Sequence, residues 1–216
     1  TTVNSSSQLP AGATTMNYND GNLADGDYRV SNRASKLPTA RDNNWYWTVG
    51  DHTSLASNGG KGDPNHLMMV MNASYDPGIF YQETLTVSQH TTYEFSLWSI
   101  HANNLNFYSP LPMNIVLAVD RIGVDDDNDG ITDEPGEEQV ISSSGNIAGT
   151  NVPIWRQTGA LFNSGNATQI RFIFRNNGPG GGGNDLAIDD VMLGQCSGLP
   201  SGSVRGTLYY DDNRNN

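Results

Sequence analysis

The chain holds a single cysteine, Cys196, among 216 residues, so no internal disulfide can staple it. Basic side chains are also scarce: 11 Lys and Arg stand against 23 Asp and Glu, a formal net charge of −12. Such a balance argues against a nucleic-acid partner, whose phosphates demand Lys and Arg, and equally against an anionic membrane surface. No apolar run approaches the roughly 18 residues of a membrane-spanning helix, which gives no expectation of membrane insertion. The opening "TTVNSSSQLP" has none of the character of a signal peptide and reads as a mature or trimmed terminus. Enzyme signatures are missing too: there is no H-E-x-x-H, no G-x-S-x-G and no G-x-x-x-x-G-K-[ST].

A sustained helical period is likewise missing. In its place come short apolar runs separated by Gly, Asn, Ser and Thr, with 24 glycines in all. The clearest runs are 44–49, 66–72, 79–87, 91–100, 113–122, 138–142, 153–162, 167–176 and 185–193. In "TQIRFIFR", Ile170, Phe172 and Phe174 share one face while Arg171 and Arg175 take the other, the period of a half-buried strand. "NIVLAV" is apolar on both faces, as in a strand covered from two sides. The expected fold is all-β, an antiparallel β-sandwich of jelly-roll type spanning residues 1–195. Residues 196–203 read as a linker, and 204–216 as the start of a following domain or a strand donated to a neighbour.

One segment stands apart. "DDDNDGITDEPGEE", residues 125–138, concentrates carboxylates in what should be a hairpin loop. Asp125, Asp127 and Asp129, followed by Gly130 and Asp133, match the first nine positions of an EF-hand-type calcium loop. Alternate side chains of a coiling loop converge on one point, Gly permits the sharp turn, and Ile131 offers its backbone carbonyl. The twelfth position is Gly136, so Glu134 and Glu137 are the candidates for the missing bidentate carboxylate. Hard oxygen donors suit calcium rather than zinc. Without flanking helices, the use of the motif is thrombospondin-repeat-like or dockerin-like. A second cation is expected where Asp189 and Asp190, pointing to opposite faces of an apolar strand, would meet Asp25 or Asp27 of the N-terminal segment.

Other polar residues divide between ligand and scaffold. The loop "SIHANNLNFYS" offers His101, Asn103, Asn104, Asn106 and Tyr108 as a candidate binding rim for a sugar. Asp51 and His52 look like an acid–base pair but lack a nucleophile, so His52 is expected to be structural, with Trp98 and Trp155 in the core. Glu83 and Glu94 lie on separate alternating strands with no sign of convergence as glycosidase carboxylates.

Taken in order, "WTVGDHT", "HLMMVMNAS", "GIFYQETLTV", "TTYEFSLW", Trp155 and "GNDLAIDDVML" followed by Cys196 resemble a galactose-binding-like jelly-roll module of large secreted or cell-surface bacterial proteins. The resemblance spans roughly residues 15 to 196 and implies a carbohydrate-binding-module-like fold with a structural calcium beside "DDV". It also implies a cysteine just before "TTYEF" to pair with Cys196, but "VSQH" has none, which leaves Cys196 a free thiol. The acidic loop looks like an insertion, and "GSVRGTLYYDDNRNN" resembles the opening of the B-type immunoglobulin-like repeats of adhesins. The expectation is a non-catalytic, calcium-stabilised extracellular module that binds carbohydrate or cell-surface glycan in adhesion. A self-assembling fibre or spacer subunit is the alternative, and an accessory module of a polysaccharide-degrading enzyme the third.

Overall fold

A computed structural model describes residues 8–34, 50–52, 66–103, 111–133, 136–178 and 182–196. Several expectations lie outside these residues: the run at 44–49, Glu134, Asn104, Asn106, Tyr108, and everything from 197 onward, including the segment 204–216.

Among the described residues the strands are β1 (Asn17–Tyr18), β2 (Asp27–Ser31), β3 (Met68–Asn72), β4 (Gly78–Thr86), β5 (Thr92–His101), β6 (Ile115–Arg121), β7 (Gln139–Ser143), β8 (Arg156–Asn163), β9 (Gln169–Asn176) and β10 (Leu186–Gln195). They form two sheets, ordered β1-β2-β3-β10-β5-β8 and β4-β9-β6-β7. Every pairing is antiparallel except the two-residue contact of β1 with β2. The protein is an all-β sandwich.

Alternation decides which side chains fill it. Ile170, Phe172 and Phe174 of β9 face Phe95 and Leu97 of β5, joined by Ile115, Leu117 and Val119 of β6. The Phe95 ring centroid lies 4.8 Å from those of both Phe172 and Phe174. Phe80 of β4 stacks on Phe174 at 5.9 Å.

The six-stranded sheet is covered on its other face as well. Val70, Ile100 and Ala187 pack there with Leu23, Ala34, Met68 and Trp155, which is why β3 is buried along its whole length. Arg29, fully buried on this side, donates to the carbonyls of Gly21 and Ala34 and ties the covering segments down. On the outer face of the four-stranded sheet, Arg171 donates to Asp120 at 2.6 Å and Arg175 pairs with Glu138. Burial pushes the Asp120 carboxyl up, and the neighbouring Arg171 works against that rise.

Cys196 is an exposed free cysteine whose amide donates to the Thr92 carbonyl at 2.9 Å.

Candidate functional site

The acidic loop joins β6 to β7. Its backbone coils because carboxylates accept from amides a few residues ahead: Asp125 from Asp129 at 3.2 Å and Gly130 at 2.9 Å, Asp127 from Asp129 at 3.1 Å, Asp129 from Ile131 at 2.9 Å. Left-handed backbone at Asn128 (φ 64) and Gly130 (φ 94) turns the chain back on itself. The result brings ligand atoms of Asp125, Asp127 and Glu137 within 4.8 Å of one another, a group that can hold a metal ion. Two unit charges 4 Å apart repel by about 4 kcal/mol at an effective dielectric of about 20, and a divalent cation reverses the sign of that cost.

Of the seven loop residues named from sequence, the structure gathers these three. Glu137 reaches inward because it is 4% exposed and accepts the Asp126 amide at 2.9 Å. Asp133 instead closes the base of the loop, accepting the Gly123 amide at 2.7 Å. Asp129 stands outside the close group, and the Ile131 side chain faces solvent. Arg121 anchors the assembly: it donates to Asp126 at 3.2 Å, to Gln139 at 3.0 Å and to the Asn163 carbonyl at 3.0 Å. The loop is thereby fixed to both sheets.

The proposed meeting of Asp25 and Asp27 with Asp189 and Asp190 does not occur. In the sheet register Asp27 lies opposite Asn72, whereas Ile188, one residue before Asp189, lies opposite Met69. Along the strands the two residues are therefore offset by about four positions, roughly 13 Å, and β3 lies between β2 and β10. Asp27 accepts from Asn19 at 2.7 Å and from the Ala24 amide at 2.8 Å, closing its own turn, with Asp25 exposed beside it.

Nor do Asp189 and Asp190 point to opposite faces. A β-bulge interrupts β10 between Asp189 and Met192, and Asp190 takes a left-handed φ of 48°. The bulge lets both carboxylates reach one residue: Asp189 accepts the His52 amide at 2.8 Å, and Asp190 accepts His52 Nδ1–H at 2.8 Å. The His52 ring stacks on Trp98 at 3.8 Å and meets Trp155 edge-on at 5.8 Å. His52 is a clasp that pins residues 50–52 to β10. Beside it, His66 lies 3.2 Å from the buried carboxylate of Asp51.

Burial pushes the Asp189 carboxyl up to about 6, with the amides of His52 and Asp190 opposing the rise. Between about pH 4 and 6 the native state thus holds a proton that the unfolded chain has released, so stability falls as pH rises through that window. Asp189→Asn keeps an oxygen acceptor and removes the titration. Its stability relative to the parent should improve steadily from pH 4 to 6 and then level off, as read from urea midpoints. A constant difference across that range would show that Asp189 is not the source.

His101 and Asn103 are not a binding rim. His101, 3% exposed, donates from Nε2 to the Leu111 carbonyl at 2.8 Å, and burial pulls its imidazole below the usual histidine value. Asn103 is fully buried and donates to Asp185 at 2.7 Å while accepting the Asp185 amide at 3.0 Å. A carboxylate inside the protein needs such donors, so the polarity of this segment serves the interior.

One feature escaped sequence reading altogether. An open cleft of about 620 Å³ lies where the ends of β7 and β8 approach, lined by residues 142–144, 146–150 and 156–159. No local pattern in 142–150 or 156–159 announces it, because the approach of these segments depends on how two sheets pack.

No known protein family matches the sequence, and no curated protein does. Among solved structures, the fold is similar to the C-terminal domain of EclA, described as a sugar-binding protein, at 15% identity over 67% of this chain and 99% of that one (TM-score 0.40). It is similar to the CBM22-1 xylan-binding domain of Paenibacillus barcinonensis Xyn10C at 11% identity over 63% and 75% (TM-score 0.38). A third is the Clostridium thermocellum xylanase 10B with its CBM22-1 and GH10 modules, at 14% identity over 62% of this chain (TM-score 0.38). The match spans 22% of that xylanase chain.

Proposed function

We propose that this chain is a non-catalytic, calcium-stabilised β-sandwich module that binds carbohydrate at a bacterial cell exterior, in adhesion. The observation that carries the calcium part is the convergence of Asp125, Asp127 and Glu137 within a loop of D-x-D-x-D-G spacing. Oxygen-only donors favour calcium over softer metals, and millimolar calcium outside cells suits a site on a surface loop. Calcium there neutralises the mutual repulsion of the loop and clamps the β6–β7 connection.

Carbohydrate recognition is supported by the β7–β8 cleft, whose walls are rich in hydroxyls and side-chain amides. A non-catalytic role is supported by where the carboxylates lie. Glu83 on β4 and Glu94 on β5 belong to different sheets, so they do not flank a common bond. Glu83 is engaged by the Tyr81 hydroxyl at 2.8 Å, and burial together with that bond pushes the Tyr81 phenol up to about 12. Two of the four histidines, His52 and His101, are engaged in hydrogen bonds within the fold.

The test is a glycan and polysaccharide binding screen in millimolar calcium, repeated with a chelator. Retention on a defined sugar class, weakened by chelation, is expected. If the folded, calcium-loaded protein binds no glycan, the carbohydrate reading fails, and polymerisation seen by sizing and electron microscopy would favour a fibre subunit.

A further inference from the structure

We infer that the β7–β8 cleft takes an acidic saccharide, with the carboxylate of a uronic acid seated on Arg156. This rests on the carbohydrate reading and names the ligand class within it.

Charge is the first argument. The chain carries 23 Asp and Glu against 11 Lys and Arg, yet among the described residues no carboxylate lines this cleft, and the one charged side chain there is Arg156. Three other arginines of the sandwich are matched by acids, Arg121 by Asp126, Arg171 by Asp120 and Arg175 by Glu138, and the buried Arg29 by backbone carbonyls. The Arg156 guanidinium has no hydrogen-bond or ion-pair partner among the described residues; only its backbone carbonyl is engaged, by Ser99. An arginine with no side-chain partner among the described residues, lining a cleft where they place no carboxylate, is a selective point for an anion in an acidic protein. Its planar fork matches a carboxylate in two parallel hydrogen bonds, which a neutral sugar cannot reciprocate.

The remainder of the cleft suits a polyhydroxylated ligand rather than a bare ion. Ser142, Asn146, Thr150 and Gln157 contribute hydroxyls and amides around the arginine. The volume of about 620 Å³ falls within the range typical of ligand sites.

Rigidity is the third argument, because a fixed site loses less freedom on binding. One wall is held by the reciprocal backbone pair of Ile147 and Met113, at 3.0 and 2.8 Å, and by Ser144 Oγ accepting the Ile115 amide at 2.9 Å. The other wall is strand β8, pressed so close to β5 that a Cβ at Gly159 would lie 2.8 Å from Ser96 Cβ. Both walls are thus tied to the sandwich at these points.

The experiment is calorimetric titration of hexasaccharides containing glucuronate, galacturonate or mannuronate, each paired with its carboxyl-reduced neutral counterpart, in calcium. At least one acidic form should bind about 10- to 100-fold tighter than its reduced partner, the range of a hydrogen-bonded charge, and the advantage should shrink as salt is raised. Arg156→Gln should erase that advantage with the melting temperature unchanged, and Arg156→Lys should restore part of it. Equal binding of acidic and reduced forms overturns the inference while leaving carbohydrate binding intact. An acid preference that survives Arg156→Gln overturns the assignment to this cleft. Absence of binding by every saccharide removes both the inference and the reading beneath it.

Discussion

Adding calcium to chelated protein is expected to raise the midpoint of thermal unfolding by roughly 5–10 °C. A ligand held only by the native state stabilises it by about 2.7 kcal/mol at a concentration 100-fold above its dissociation constant. For a chain of this size each kcal/mol moves the midpoint by about 2–4 °C. The stabilisation has a visible route through the fold: the loop carrying Asp125, Asp127 and Glu137 is tied by Arg121 to the Asn163 carbonyl, and Glu138 pairs with Arg175 on β9. Glu137→Gln should abolish most of the calcium-induced rise, because it removes a charged donor from the group and leaves the isosteric amide in a buried position. Asp133→Asn should leave the rise largely intact, since that carboxylate is committed to the Gly123 amide. Calorimetric scans with and without calcium decide the matter. If calcium leaves all three melting curves unmoved, the loop is a solvated acidic turn.

Phe174→Ala should lower stability by about 3–5 kcal/mol, as truncation of a large buried aromatic does. Phe174 is fully buried. Its ring centroid lies 4.8 Å from that of Phe95, 5.9 Å from Phe80, 5.8 Å from Phe172 and 6.0 Å from Tyr81. Those neighbours come from β4, β5 and β9, so the cavity would open between both sheets at once and could not close by a shift of one strand. Phe174→Leu, closer in volume, should cost less. Leu161→Ala, at a side chain 65% exposed, should stay within about 0.5 kcal/mol of the parent. Urea denaturation reads these differences from the midpoint at constant slope. A loss below about 1 kcal/mol for Phe174→Ala would mean that the sheets repack freely around the gap.

Strand existence was legible because it is a local property. Alternation in 167–176 announced β9, with Phe172 and Phe174 inward and Arg171 and Arg175 outward. The apolar run in 113–122 announced β6, but only Ile115, Leu117 and Val119 face the other sheet; Val116 and Asp120 take the outer face, so among the described residues the strand is not covered by a second layer. β1 and β2, short and set in a polar segment, carried too little pattern to be seen. The acidic loop was legible for the same local reason, since the spacing of Asp125 and Asp127 before Gly130 is itself the geometry of a coiling turn.

What the sequence determined by itself is therefore the all-β class, the identity of most strands and the place of the acidic loop. Side-chain period and ligand spacing are set within a few residues, and no distant contact is needed to read them. Tertiary structure decided the rest. It chose Glu137 as the third carboxylate of the close group, because the hairpin returns that residue beside Asp126. It turned Asp189 and Asp190 to the same histidine through a bulge whose position follows from pairing with β5. It held Asp27 away from Asp189 by strand register, and drew His101 and Asn103 inward to Leu111 and Asp185. The cleft holding Arg156 exists only because the edges of two sheets meet there. Register, bulges and the packing of sheets depend on contacts between residues far apart in the chain, and these no local period encodes.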